Sequence, residues 1–135
     1  MKYPGVGIGV YVLKDGKVLL GLRKGHYQSG TWCAPGGKLE INETFESCAR
    51  RETQEECGVE IEHLRFLGVT NDIDPPTGSH YITVAFAADW KRGEPSLTEP
   101  DKFEKWEWFS WDALPEPLFL STRNFAAAGY NPFTL

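Results

Sequence analysis

The chain has 135 residues, 41% hydrophobic and 13% aromatic, enough for one globular domain spanning 1–135 with a sizeable core. Its 19 acidic and 14 basic residues give a net charge of −5, which argues against a duplex nucleic-acid binder, although a divalent cation can still supply local positive charge to a polyanionic substrate. No apolar run approaches the ~20 residues that span a bilayer. No secretory leader reads from Met1-Lys2-Tyr3-Pro4, and the three cysteines form no CxxC pair, so a soluble protein of the reducing cytoplasm is expected.

Val6, Ile8, Val10 and Val12 alternate with Gly7, Gly9 and Tyr11, predicting a strand whose glycine face is closely approached by another group. These glycines lie inside the strand and no helix follows, which rules out a dinucleotide-binding loop. Asp15-Gly16 is a hairpin turn and 17–22 returns as a second strand. Arg23, Lys24 and Gly25 open a polar loop through His26 to Gly30, where basic side chains suit either a phosphate or base contact or plain solvent. Trp32-Cys33-Ala34 is a short strand, which Pro35-Gly36-Gly37 breaks. A helix spans 44–57, closed by Gly58 in the left-handed conformation. Residues 59–69 form a strand with an irregularity near His63, 71–79 a hairpin loop, and 81–88 the partner strand. An irregular polar segment covers 91–103, followed by a strand at 106–109 and a turn at Ser110-Trp111-Asp112. A second helix runs from Pro117 to about Gly129, and the aromatic tail Tyr130-Asn131-Pro132-Phe133 docks on the domain. Cys33, Cys48 and Cys57 read as small apolar fillers.

The stretch 37–59, GKLEINETFESCARRETQEECGV, carries the chemistry. On a helix Glu52 and Glu56 fall one turn apart with Glu55 beside them, on the side where Phe45, Cys48 and Ala49 face the core. Carboxylates there repel one another and lose hydration unless a cation neutralises them. Three glutamates in two turns suit a hard divalent cation such as Mg²⁺, which takes oxygen ligands and is completed by substrate phosphates. Such ions bridge phosphate oxygens and activate an attacking water. Arg51 is expected to face away from the metal, pairing with Glu55 or Glu43 and orienting the ligands.

Gly37, then Glu43, Arg51-Glu52, Glu55-Glu56 and Gly58-Val59 stand at the spacing of the Nudix box, with Thr53 in a slot where that family often has an aliphatic residue. From Pro4 to Phe133 the chain resembles the MutT-type nucleotide triphosphate diphosphatases of the Nudix superfamily. The supporting stretches are 20–25, Ser79-His80-Tyr81, 99–104 with Trp106-Glu107-Trp108, and Pro117-Leu118-Phe119. The resemblance implies an α/β fold, the Nudix α/β/α sandwich with a mixed central β-sheet, assembled as a homodimer and using Mg²⁺, with Mn²⁺ as a substitute. It implies Glu52 and Glu56 as principal metal ligands, with Glu55 sharing that role or acting as base. The carbonyl of Gly37 and the side chain of Lys38 would complete the metal and phosphate region. A distal acid joins them, Glu104 in preference to Glu99. Arg23, Thr83, Phe119 and Leu120 would contact the substrate. Leu120 and Cys33 occupy pocket slots that vary among relatives, so base preference stays open.

The implied activity is hydrolysis of a (deoxy)nucleoside triphosphate to the monophosphate and pyrophosphate, on oxidised purines such as 8-oxo-dGTP, in nucleotide pool sanitisation, or on pyrimidines such as dCTP. Dihydroneopterin triphosphate or a prenyl diphosphate is the alternative within the same chemistry. A noncatalytic nucleotide-sensing domain is the alternative outside it, disfavoured because every box acid is present. The expected partners are therefore a small diphosphate and a second copy of the chain, with no nucleic acid and no membrane.

Overall fold

The computed structural model describes residues 3–25 and 27–134. Met1, Lys2, His26 and Leu135 lie outside them, and with them His26's place in the polar loop and the part of the leader reading that rests on Met1 and Lys2. β1 (Gly5–Lys14) and β2 (Lys17–Arg23) form a hairpin through Asp15 and Gly16, whose φ angles of 51° and 75° are those an Asp-Gly turn supplies. β3 (Trp32–Cys33) pairs with β2, and β4 (Gly36–Lys38) pairs antiparallel with β1. After α1 (Phe45–Cys57) come the long strands β5 (Glu60–Asp74) and β6 (Ser79–Arg92), then β7 (Phe103–Phe109) against β2, a 3₁₀ turn at Trp111–Ala113, and α2 (Leu120–Ala127).

Among the described residues the sheet has seven strands in the order β3-β2-β1-β6-β5, with β4 attached to β1 and β7 to β2. It is mixed, because β1 runs parallel to β6 and antiparallel to β2 and β4. The period-2 alternation of strand side chains builds a core on each face. Ile8, Val10, Val12, Leu19, Val84 and Phe86 pack with Cys48, Ala49 and Cys57 of α1. Tyr11, Val18, Leu20 and Ala85 pack on the other face with Phe125 of α2. A helix thus covers each face, giving the α/β/α sandwich.

Several details depart from the sequence reading, among them that residues 91, 92 and 103, assigned to an irregular segment, lie in β6 and β7. Pro35-Gly36-Gly37 does not end the strand structure: its glycines form β4, held to β1 by register pairs such as Gly9 with Gly36. The β5–β6 ladder continues to Asp74 and Ser79, so polar residues assigned to a loop are in the strands and only 75–78 turns. The N–H of Phe119 donates to the Trp32 carbonyl at 2.8 Å and the N–H of Trp32 to the Pro117 carbonyl at 2.9 Å; this keeps 117–119 extended and delays the second helix to Leu120. Phe45, assigned to the core side of α1, is exposed. The irregularity near His63 is present, with φ 53° and a register shift between Glu62 and Arg65. The tail docks through Tyr130, stacked on Phe125 at 5.0 Å between ring centres. Among the described residues no helix is long and apolar enough to cross a membrane.

β4 lies close enough to β1 that a Cβ on Gly36 would stand 1.9 Å from the Ile8 carbonyl oxygen. Backbone cannot move aside cheaply, so Gly36→Ala is expected to lose about 2–3 kcal/mol of stability, read from the urea midpoint. An unchanged midpoint would show that β4 is not clamped in this way.

Candidate active site

α1 begins at Thr44, whose hydroxyl accepts from the Ser47 N–H at 3.1 Å, and ends at Gly58, at φ 71°. These caps, with buried Cys48, Ala49, Thr53 and Cys57, set the rotation of the helix against the sheet. Thr53 is buried without cost to its hydroxyl, which donates to the Ala49 carbonyl at 2.7 Å. In this rotation Glu56 turns inward, 8% exposed, and its Oε1 accepts from the Gly36 N–H at 2.7 Å. Glu52 lies against Gly37, where a Cβ would come within 2.4 Å of its carboxyl carbon. Glu55 is exposed.

Arg51 does not face away from this cluster. Its guanidinium binds Glu43 through two contacts of 2.8 and 3.0 Å, and also reaches Glu52 at 2.8 Å and Glu55 at 3.3 Å. A planar group with five donors can serve all three carboxylates, so the choice between Glu43 and Glu55 does not arise. The hydrogen bonds from Arg51 hold the Glu43 carboxyl down to about 2. Burial pushes Glu56 up to about 8, reinforced by the charges of Glu52 and Glu99 and opposed by the Gly36 N–H. Glu52 is likewise raised by burial, against the pull of Arg51. Burial also pushes the thiols of Cys33, Cys48 and Cys57 up to about 12, in keeping with fillers rather than nucleophiles.

The five groups assigned to the metal are not assembled as expected. Among the described residues no three acidic, His or Cys side chains converge in metal-ligand geometry. Glu52 is turned onto Arg51 and Glu56 onto Gly36, while Glu55 and Glu104 are exposed. Of the two acids weighed for the distal position, Glu99 lies nearer the cluster: its Oε1 is buried with no hydrogen-bond partner, and its charge acts on both Glu52 and Glu56. Glu52, Glu56, Glu99 and the Gly37 carbonyl offer hard oxygen donors whose mutual repulsion a divalent cation would relieve, so the donor set fits Mg²⁺ or Mn²⁺.

A cavity of about 540 Å³ opens beside this cluster. Its floor includes Gly7 and Gly9 of β1, whose glycine face is approached by the Thr83 side chain, 3.4 Å from where a Cβ on Gly9 would stand. Arg23, Gly37, Lys38, Glu56, Thr83, Phe119 and Leu120 line it, whereas Arg51, Glu52, Glu55 and Glu104 do not. The Arg23 guanidinium stacks 4.7 Å above the Phe119 ring, and Tyr27 meets the same ring edge-on. Asp72, Tyr27 and Gln28 also line the cavity and were missed in the sequence. The structure buries Thr70 and Asp72 while Val69, Asn71 and Ile73 are exposed, an inverted alternation that turns polar residues inward and that the sequence does not announce.

The NUDIX domain model matches residues 3–128, and the chain belongs to the Nudix family. It is 35% identical over 114 residues to the oxidized purine nucleoside triphosphate hydrolase of Danio rerio, covering 78% of this chain and 66% of that protein. It is 36% identical over 110 residues to the NAD-capped RNA hydrolase NudC of Haemophilus influenzae (strain PittGG), covering 79% of this chain but only 40% of that longer protein. Among solved structures, the MutT NUDIX hydrolase from Burkholderia pseudomallei superposes with a TM-score of 0.85 at 39% identity, covering 90% of this chain and 94% of that one.

In the metal-free chain Glu56 keeps its proton to about 8, against 4.5 for an exposed glutamate. Between those values the folded state binds more proton than the unfolded state, so this group makes stability fall as pH rises from about 4.5 to about 8. Urea unfolding in a chelating buffer is expected to show that decline, and Glu56→Gln, which has no proton to lose, should flatten it. A variant that follows the wild-type slope would place Glu56 in a less buried setting.

Proposed function

We propose that the chain is a divalent-metal-dependent hydrolase that cuts nucleoside triphosphates to the monophosphate and pyrophosphate. The observation that carries this reading is a single cavity whose wall combines Glu56, Gly37 and Lys38 with the Arg23–Phe119 stack, Thr83 and Leu120. The charged groups suit a phosphate chain and the aromatic and apolar ones a flat base. The Danio rerio relative, named for an oxidized purine nucleoside triphosphate, supports the substrate class. The net charge of −5 favours a small nucleotide over an RNA, which calls for a basic footprint.

In this reading Glu52, Glu56, Glu99 and the Gly37 carbonyl hold the cation, with Glu55 completing the acidic rim. When bound, the cation supplies charge neutralisation at the phosphates and a more acidic attacking water. The chain's own residues supply the positioning. Arg51 fixes the Glu52 carboxylate at 2.8 Å and ties the helix to Glu43 in the preceding loop. The Gly36 N–H aims Glu56. Lys38 and Arg23, both on the cavity wall, offer cationic groups to phosphate or base. Work in the cytoplasm on damaged nucleotides, and pairing of two copies, complete the proposal.

Pyrophosphate release with Mg²⁺ should be measured across nucleoside triphosphates, damaged nucleotides, dihydroneopterin triphosphate, nucleotide sugars and geranyl diphosphate. Turnover confined to nucleotide sugars would refute the triphosphate reading. Glu55→Gln and Glu56→Gln are each expected to cut kcat by about a hundredfold. Glu99→Gln should lower both turnover and Mn²⁺ affinity by about tenfold or more, and Glu104→Gln should change neither. The reverse pattern would return the distal role to Glu104.

A further inference from the structure

Two polar side chains that the metal chemistry does not use line the cavity. Asp72 on β5 is 5% exposed. Its Oδ2 accepts from the Thr83 hydroxyl at 2.5 Å and its Oδ1 from the Asn124 amide at 3.0 Å, which pins the carboxylate between β6 and α2. Each carboxylate oxygen has a second lone pair, so both can accept once more. Gln28, in the loop after β2, accepts the N–H of Leu120 on its Oε1 at 2.7 Å. That contact fixes the amide and leaves Nε2 as a buried donor with no partner. Both side chains line the same cavity. A buried donor without an acceptor is costly, and it is satisfied when a ligand brings one.

Three strand steps, from β4 through β1 and β6 to β5, separate Gly37 from Asp72. The side chains close much of that separation: the Gly37 carbonyl oxygen and the Thr83 hydroxyl both come within 3.8 Å of where a Cβ on Gly7 would stand, and that hydroxyl donates to Asp72, so the cavity floor runs from Gly37 to the Asp72 carboxylate within the length of one nucleotide. Between them the bare backbone of Gly7 and Gly9 leaves room for a flat ring.

We propose that Asp72 and Gln28 form the base-reading pair of this site and select a guanine-type base. The Asp72 carboxylate accepts two adjacent N–H groups while the Gln28 amide donates to a ring carbonyl. Guanine offers this set in its N1–H, N2 amine and O6. Adenine and cytosine present a ring-nitrogen lone pair beside their amine, which the carboxylate repels. Thymine and uracil offer one N–H flanked by two carbonyls. A site built to accept N–H groups rejects bases that lack them because its buried acceptors are then left unpaired. The inference rests on the nucleoside triphosphate reading above.

Steady-state kinetics with dGTP, dITP, dATP, dCTP and dTTP provide the test. The wild type should prefer dGTP, with dITP, which lacks the N2 amine but keeps O6, weaker by about tenfold and the other three weaker still. Asp72→Asn should lower kcat/KM for dGTP by about tenfold or more, mainly through KM, and leave dATP and dCTP within about twofold. Gln28→Ala should lower dGTP and dITP alike, since both retain O6. Calorimetric binding of GMP and AMP to the wild type needs no variant to fold and should favour GMP by a similar factor. Equal kcat/KM across the bases, equal affinity for GMP and AMP, or an Asp72→Asn loss shared by every substrate would overturn the base-reading pair while leaving triphosphate hydrolysis standing. Turnover of non-nucleotide diphosphates alone would overturn both.

Discussion

The clamping of β4 between β1 and α1 is the constraint on which the site depends. Gly36 has the Ile8 carbonyl where a side chain would begin, and Gly37 has the Glu52 carboxylate there. Only glycine lets three layers of structure approach so closely at this point. The same approach brings the Gly36 N–H within 2.7 Å of Glu56 and so aims that carboxylate at the cavity. The acidic helix, the sheet edge and the end of the cavity are thereby one mechanical unit. A glycine pair that reads in the sequence as a chain breaker is, in the fold, the seat of the acidic cluster.

Electrostatics divide the acids on and around α1 into two groups. Those within reach of Arg51 share its guanidinium: Glu43, in the preceding loop, is held low, and Glu52 and Glu55 also pair with it. Glu56 and Glu99 lie beyond it, Glu99 with Lys102 at 3.6 Å on its other oxygen. Burial raises Glu56, the Glu99 charge raises it further, and Glu99 itself keeps an unpartnered oxygen. Arg51 ties the entry of the helix to Glu43 but has no contact with Glu56, so the cost of burying that carboxylate is one the proposed cation would relieve.

The first strand serves both purposes by alternation. Ile8, Val10 and Val12 face α1 and build the larger core, while Gly7 and Gly9 face the other way and leave the sheet bare under the cavity. Tyr11, next on that second face, ends the open space by stacking on Phe125 at 4.4 Å. Residues at the N-terminus of α2 and the loop after β2 then close over the glycines, with the Arg23–Phe119 stack at one wall. Cavity size is therefore set by side-chain absence in one strand and by how two distant loops meet above it.

The features readable along the chain were local or periodic. The strand alternation, the Asp-Gly turn, the capped helix at 44–57 and the placing of Glu52, Glu55 and Glu56 within two turns all follow from spacing along the chain, because backbone geometry converts spacing into direction. Box spacing likewise identified the family, since residues close in sequence on one helix are close in space. The tertiary structure decided whatever depends on distant segments meeting. Glu99 comes close to Glu52 and Glu56 because a loop folds back onto α1, as the Thr98 hydroxyl bonded to the Glu55 carbonyl at 2.6 Å records. Asp72 became a cavity residue because the β5–β6 ladder runs to Asp74, carrying it opposite Tyr81 and beneath Asn124. Gln28 meets Leu120 across 92 residues of chain. Contacts of that range arise from the packing of whole elements, which no local pattern encodes, so the family was legible in the sequence and the shape of the cavity was not.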